Sequence, residues 1–244
     1  MSRFLERHPS SIAQSAVEFL RDANVSESTR RLYEDVLELF VAYLMNDGTA
    51  VEPSPHGDYV LVAGWGTYWG GAFDNFLDLF LPAQPVGPTF IKRAPAVLRK
   101  WAKWSFDQGY LDDLRYEDFL EAVPPSKAAD MLRLRRAGDL LFDLHSPPFE
   151  EMMGDNVARL VQDHDMHEPE VVEEGYVMVI RFDGEAGYVK TEDGRVVGPV
   201  FFGRVLIDTL RIGDVLNVVI GRFGKRWHVL ESGDVYPESQ WFGE

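Results

Sequence analysis

Residues 175–191 have the sequence GYVMVIRFDGEAGYVKT, in which two apolar runs flank the dipeptide Asp183-Gly184. Asp-Gly between apolar runs is typical of a β-hairpin, because both residues tolerate the positive φ angles that its tight turn requires. Five short strands are predicted in this region, over Tyr176–Phe182, Ala186–Thr191, Arg195–Phe202, Val215–Gly221 and Lys225–Glu231. Because unpaired sheet edges promote aggregation, so many short strands in succession favour a closed or nearly closed small barrel.

The N-terminal half has the three- and four-residue apolar spacing of amphipathic helices. Helices are predicted over Ser10–Asp22, from Ser28 to Met45, over Ala72–Leu81, from Pro95 to Gly109 and over Ser126–His145. The two patterns together predict an α+β multidomain protein, with an all-α N-terminal domain followed by a small five-stranded β-barrel.

An acidic stretch separates the two regions. From Pro147 to Glu174 nine carboxylates stand against a single base, Arg159, which predicts a solvated connector. The predicted domains are therefore a helical domain over residues 1–146, a partly helical acidic connector over 147–174 and the barrel over 175–244.

The chain of 244 residues is acidic overall, since 24 Lys and Arg against 40 Asp and Glu give a net charge of −16. Such a charge keeps a protein soluble and repels phosphate backbones at long range. The charge is uneven, because residues 175–244 hold eight bases and ten acids. This region is therefore the least repulsive part of the chain for a nucleic acid.

One candidate site is a basic face on the predicted helix that contains Pro95. Its residues occupy a stretch, from Ile91 to Lys103, that holds no acid. They are Lys92, Arg93, Arg99, Lys100 and Lys103. Such a face is suited to phosphate contacts, each of which would release counterions. The alternative is a solvated helix face whose bases pair with nearby acids.

A second cluster surrounds the predicted turn between the last two strands. It combines cations with aromatic rings, and its members are Arg222, Lys225, Arg226, Trp227 and His228. This mixture is typical of the edge of a nucleic-acid groove. The alternative places Trp227 in the barrel interior, with the bases solubilising the tip of the hairpin.

Other chemistries find no support in the sequence. The absence of cysteine excludes disulfides and a cysteine nucleophile. His164 and His167 have carboxylates beside them but lie in the predicted connector, so no metal site is assigned. No nucleophile elbow, P-loop or dinucleotide motif is present, so neither a cofactor nor an enzymatic activity is predicted. No apolar run approaches the roughly 20 residues of a membrane helix and no signal peptide is evident, so we expect a cytoplasmic protein without a membrane partner.

The helical region contains two motifs, one in each of two long predicted helices. The sequence TRRLY at 29–33 opens a long predicted helix, and VLRKWAKW at 97–104 leads to GYLD at 109–112. In these features the segment from about Ser10 to Val123 resembles the SAM-like core-binding domain of tyrosine recombinases, the phage integrases. The resemblance implies a helical domain that clamps a DNA duplex. An acidic connector and β-strands follow where that family has its catalytic domain, so strand exchange is not expected.

The C-terminal region carries a second resemblance. Gly175-Tyr176-Val177 opens the first predicted strand, Gly187-Tyr188-Val189 lies in the second, and Val200-Phe201-Phe202 lies in the third. With LRIGDVL at 210–216, these residues make the region similar to OB-type barrels of the cold-shock or S1 kind. The resemblance implies that Tyr188 and Phe201 stack on bases while flanking Lys and Arg hold phosphates. The first motif has one aromatic residue where that family usually has several, and Gly203 stands where a histidine often follows.

Together, these features predict a non-enzymatic protein that associates with DNA or RNA, single-stranded or duplex. Its contact surfaces would be the barrel face and the basic helix. The alternative is an acidic protein–protein interaction module in which both folds have lost nucleic-acid binding and the acidic surface recruits a basic protein partner.

Overall fold

The computed structural model describes residues 11–46, 51–53, 59–61, 70–145 and 168–241. The chain divides into two compact units, Met1–Leu132 and Arg133–Glu244. The first unit is mainly helical and the second contains a five-stranded mixed sheet, so the predicted α+β class is confirmed. Residues 147–167 of the predicted connector lie outside the described residues.

The N-terminal unit is built from helices of very different lengths. They are α1 Ile12–Asp22, α2 Glu27–Asn46, α3 Gly70–Asn75, a π-helical turn Phe76–Phe80, α4 Leu81–Ala83, α5 Pro88–Asp107, α6 Asp113–Ala122 and α7 Lys127–His145. The helix α7 runs past the end of this unit, because the division between the units falls inside it. Two short antiparallel strands, β1 Val51–Pro53 and β2 Tyr59–Leu61, complete the unit. None of the helices described by the structure is both long and apolar enough to cross a membrane.

The start of α5 and the existence of α6 differ from the sequence prediction. The helix α5 begins at Pro88, which suits a first-turn position because its missing N–H would have no partner there, and Pro95 lies inside the helix. The helix α6 was not predicted, because only Phe119 and Ala122 on it are buried and its apolar period is weak. Its start is set by Asp112, whose carboxylate accepts the backbone N–H of Arg115 at 2.9 Å.

Aromatic rings fill the core of the N-terminal unit. Phe40 of α2 packs against Phe73 and Phe76, with ring centroids 4.6 and 5.0 Å away, and against Trp101 of α5 at 5.8 Å. All four side chains are essentially inaccessible to solvent. Close aromatic pairs add to the free energy gained by burial, so this cluster joins α2, α3 and α5.

A buried ion network lies beside this core. The Lys127 ammonium donates to Asp74 at 2.8 Å and to Asp78, in the π-helical turn, at 2.9 Å. The Asp78 side chain is only 6% exposed. Burial raises the pKa of the Asp78 carboxyl above its ordinary value, against the opposing effect of Lys127.

The C-terminal unit contains all five predicted strands. They are β3 Val171–Asp183, β4 Ala186–Thr191, β5 Val196–Phe201, β6 Val215–Phe223 and β7 Arg226–Tyr236. A short helix, α8 Gly203–Ile207, follows β5. The assignment of residues 171–174 to a solvated connector was wrong, because Val171 through Glu174 pair with β6.

The strands pair in an order that returns to its start. The neighbours run β3-β4-β5-β7-β6, and β6 pairs back to β3. The sequence β6-β3-β4-β5 within this order is a Greek key, in which the fourth strand lies beside the first. Only the pairing of β5 with β7 is parallel, through Val200 with Trp227 and Phe201 with His228.

The C-terminal part of α7 belongs to this second unit. Its buried side chains Leu134, Ala137 and Leu141 form one core with the inward-facing residues of the sheet. Gly138 lies against the backbone of β7, where an added Cβ would be 3.8 Å from the Val235 nitrogen. The division between the units therefore comes before the predicted domain boundary at residue 146.

A bidentate ion pair fixes α7 to the turn before β6. The Arg133 guanidinium donates to the two carboxylate oxygens of Asp214 at 2.6 and 2.9 Å, and Asp214 also accepts the backbone N–H of Arg211 at 2.7 Å. The side chains are 17% and 4% exposed. Removal of Arg133 would leave a buried carboxylate without its countercharge.

We expect Arg133→Met to lower the free energy of unfolding by about 3 kcal/mol, the cost of breaking a buried ion pair from one side. The matched control is Arg204→Met, which removes an exposed ion pair with Asp208 and should cost about 0.5 kcal/mol or less. Urea unfolding followed by circular dichroism and tryptophan fluorescence measures both. Equal effects of the two substitutions would contradict a structural role for the Arg133–Asp214 pair.

The raised pKa of Asp78 predicts a pH-dependent difference between the protein and Asp78→Asn. A carboxyl with a raised folded-state pKa stabilises the fold fully below its unfolded-state pKa, and this contribution is lost as the pH rises through the folded-state pKa. The unsubstituted protein should therefore gain stability relative to Asp78→Asn as the pH falls from 7 toward 4. Unfolding curves of both proteins across this range test it, and a constant difference would refute it.

Candidate functional site

The alternation of side chains along β4 and β5 defines an outer face of the sheet. On β4, Val189 is buried in the core while Tyr188, its neighbour, points away from it. Phe201 of β5 pairs with Ala186 of β4 and is half-buried. Since residues two apart in a strand share a face, Tyr188 and Phe201 lie on the same outer face.

Three aromatic rings from three neighbouring strands lie together on this face. The parallel pairing of β5 with β7 brings Phe201 to His228, with ring centroids 6.3 Å apart. Phe223 at the end of β6 lies edge-on to the same imidazole at 5.9 Å. We call Phe201, Phe223 and His228 the aromatic surface. All three side chains are half-buried, so their rings remain partly open to solvent.

The ring of Tyr188 is not free to stack on a base as the resemblance implied. The guanidinium of Arg181 lies over it, 3.9 Å from the ring centroid. Gly198 of β5, with φ of 147°, also approaches the tyrosine closely, since an added Cβ would lie 2.9 Å from a ring carbon. The planar group that faces solvent is therefore the guanidinium of Arg181, which is exposed. An Arg plane backed by an aromatic ring can itself stack on a base.

Sequence reasoning missed Arg181 because a β-bulge re-aims its side chain. Regular alternation from the buried Val177 and Val179 would turn Arg181 inward, opposite Gly187. The register shifts between Val179 and Arg181, so that Arg181 lies opposite Tyr188 instead. No residue in this stretch marks the position of the extra residue.

Some of the cations around the β6–β7 turn form ion pairs and others do not. Lys225 and Arg226 are exposed, and neither forms an ion pair with a residue in the described ranges. Arg222 pairs with Glu170 at 3.2 Å, and its guanidinium lies 6.0 Å from the Trp227 ring. The turn therefore presents two positive charges beside the aromatic surface.

Trp227 lies in the core of the C-terminal unit, with 8% of its surface exposed. Its register partners are Val200 and Arg222. The expectation that Trp227 contributes to a groove is therefore wrong. The alternative that the sequence left open, an inward tryptophan in a hairpin with a basic tip, describes its position.

The far end of the β4–β5 hairpin has a different charge balance. Arg195 there forms a bidentate pair with Glu173 at 2.7 and 2.8 Å and a further pair with Asp193 at 2.6 Å. Hydrogen bonds from the Thr191 hydroxyl and from Arg195 lower the pKa of Asp193 to about 2. Arg195 is thus neutralised locally, unlike Lys225 and Arg226 at the β6–β7 turn, for which the described residues provide no ion-pair partner.

The basic residues of α5 all belong to the N-terminal unit. Arg99 donates to the carbonyl of Val123, and Lys100 donates to the Tyr33 hydroxyl at 2.8 Å. Lys103 pairs with Asp107 at 2.7 Å. Lys92 and Arg93 are exposed and form no ion pair with a residue that the structure describes. Of the five predicted contacts on α5, only Lys103 is therefore neutralised by a carboxylate in the described part of the chain.

A metal site finds no geometric support in the described residues. No three His, Asp or Glu side chains among them lie close enough together to hold a metal ion. His164 and His167 lie outside the described residues.

Comparison with known proteins adds no relative. No family model, no curated protein and no solved structure matches the chain.

Proposed function

We propose that the five-stranded sheet is an OB-type barrel and that its outer face binds single-stranded nucleic acid without catalysing a reaction on it. The Greek-key order of β6-β3-β4-β5 and the pairing of β7 between β5 and β6 support the barrel. OB barrels bind oligonucleotides on the face of their second and third strands and on the loops that join strands one to two and four to five. In this chain these elements are β4, β5, the β3–β4 turn and the β6–β7 turn.

The observation that carries the proposal is the aromatic surface of Phe201, Phe223 and His228. Its rings come from β5, β6 and β7, and the centroid of the His228 ring lies 6.3 Å from that of Phe201 and 5.9 Å from that of Phe223. Partly exposed rings on a sheet can give bases a stacking platform without demanding a particular base. A duplex keeps its bases stacked on each other, so this surface favours single strands.

Cations flank the aromatic surface. Lys225 and Arg226 at the β6–β7 turn supply charge for phosphates, and Arg181 supplies a planar cation over Tyr188. Phosphate contacts act at short range. At 0.1 M salt, screening weakens the repulsion between a nucleic acid and acidic residues that lie more than about 10 Å away. Local charge therefore supports binding despite the net charge of −16.

Phe201→Ala should weaken binding of a fluorescent single-stranded oligonucleotide by about 1–3 kcal/mol, the usual cost of removing one stacking partner. The control is Ile212→Ala, which removes an exposed apolar side chain in the turn before β6 and should leave the affinity unchanged. Fluorescence anisotropy at low salt measures both. No binding of the unsubstituted protein at low salt would reject the proposal.

The double substitution Lys225→Gln and Arg226→Gln should reduce the salt dependence of binding. Each phosphate that is no longer neutralised lowers the slope of log K against log salt by about 0.7 for a single strand, so two such phosphates lower it by about 1.4. Arg204→Gln, which removes a cation already paired with Asp208, serves as control. An unchanged slope in the double variant would assign the electrostatic contribution to other residues.

A groove on the N-terminal unit favours the second candidate, recognition of a basic protein. It has a volume of about 510 Å³, and Leu39, Ala42, Val86 and Phe90 give it an apolar lining. Asp35 and Glu38 add carboxylates to the same lining. The complementary ligand is a segment that combines apolar and basic side chains. A protein partner that still binds after nuclease treatment, but does not bind the Leu39→Glu variant, would favour this function.

A further inference from the structure

A second cavity on the N-terminal unit has a lining of a different kind. It measures about 330 Å³ and is lined by Arg99, Lys100, Lys103, Tyr116 and Leu120. The three cations lie on α5 and the other two residues on α6, at the three- and four-residue spacings that place side chains on one helix face. None of the described residues that line this cavity is acidic.

Two of the three cations are held in place without being neutralised. Arg99 is bound by the carbonyl oxygen of Val123, and Lys100 is bound by the hydroxyl of Tyr33 at 2.8 Å. The Lys100 ammonium also lies 5.4 Å from the centre of the Tyr33 ring. Both acceptors are uncharged, so each side chain keeps its full positive charge. Lys103 shares its charge with Asp107, which lies outside the lining.

The α6 side of the cavity is aromatic and apolar. Tyr116 stacks on Phe106 with ring centroids 4.6 Å apart and an angle of 13° between the planes. This contact fixes the tyrosine ring, and Leu120 lies one turn further along α6. The cavity thus sets a fixed ring and an aliphatic side chain against a group of cations.

The size of the cavity restricts the ligand. Sites for small organic ligands range from about 300 to 1,000 Å³, so this cavity falls at the lower end of that range. A phosphate would use the cations but would not contact Tyr116 or Leu120. A planar apolar group joined to a phosphate would use both.

We infer that this cavity binds a nucleoside phosphate, with the phosphate at Arg99, Lys100 and Lys103 and the base against Tyr116 and Leu120. The same chemical group is present in a free mononucleotide and at the phosphorylated end of a nucleic-acid strand. The inference uses no residue of the C-terminal unit and does not depend on the function proposed for the sheet.

Isothermal titration calorimetry of the full chain measures the binding of adenosine 5′-monophosphate, adenosine and inorganic phosphate in separate titrations. We expect adenosine 5′-monophosphate to bind at least tenfold more tightly than either of the other two, because only it engages both sides of the cavity. Equal affinity for adenosine 5′-monophosphate and inorganic phosphate, or no binding of the nucleotide, would overturn the inference.

Substitutions on α5 provide a matched comparison. Lys100→Gln should lower the affinity for the nucleotide at least tenfold, whereas Lys92→Gln, at an exposed lysine of the same helix outside the lining, should leave it unchanged. Because Lys100 also holds Tyr33, Lys103→Gln provides a second variant at an exposed position. Circular dichroism verifies folding. Equal reductions in Lys92→Gln and Lys103→Gln would show general charge attraction and overturn the site.

Tyr116→Leu separates the two sides of the cavity. It should weaken binding of adenosine 5′-monophosphate about fivefold or more and leave inorganic phosphate unaffected, since stacking on a base is worth about 1 kcal/mol or more. A parallel weakening of both ligands, or of neither, would contradict the assignment of the base to Tyr116.

Oligonucleotides with and without a 5′-phosphate distinguish the sources of the ligand. Preference for the phosphorylated strand that disappears in Lys100→Gln assigns the cavity to strand ends. Loss of mononucleotide binding in Lys100→Gln without any such preference assigns it to free nucleotides. The Phe201→Ala variant keeps the cavity intact, so failure at the sheet and failure at the cavity are measured separately.

Discussion

The parallel pairing of β5 with β7 determines the geometry of the C-terminal unit. It consists of Val200 with Trp227 and Phe201 with His228. Because neighbouring residues of a strand point to opposite faces, the same short pairing sends the first two side chains into the core and the second two outward. A shift of this register by one residue would bury the polar imidazole and expose the indole. Core packing and the aromatic surface are thus two results of one register.

The parts of the fold that could be predicted are those whose sequence signals lie within a few neighbouring residues. The strands were recognised because Asp183-Gly184, Asp193-Gly194 and Phe223-Gly224 separate runs of alternating residues. The first residues of β3 were missed because their glutamates are compatible with a solvated chain, and only pairing with β6 makes them a strand. The division of α7 between two cores was not visible either, since helical periodicity does not reveal which core a face meets.

The candidate site was predictable to a similar degree. The resemblance to OB-type barrels singled out Tyr188 and Phe201 as outward-facing rings, but the position of Arg181 over Tyr188 depends on a bulge that no residue in the sequence indicates. The pairing of Lys103 with Asp107 spans one helical turn and is visible in the sequence. The acceptors of Arg99 and Lys100 are 24 and 67 residues away along the chain, so only the folded structure reveals them.

The uncharged acceptors of Arg99 and Lys100 have a consequence for any anion that reaches them. A free Lys or Arg side chain carries about 2 kcal/mol of rotamer entropy, part of which disappears when it is immobilised on a ligand. Folding has already immobilised these two, so the cost is met before an anion arrives. The fold thus offers preorganised cations, whose selectivity depends on their spacing rather than on the number of charges alone.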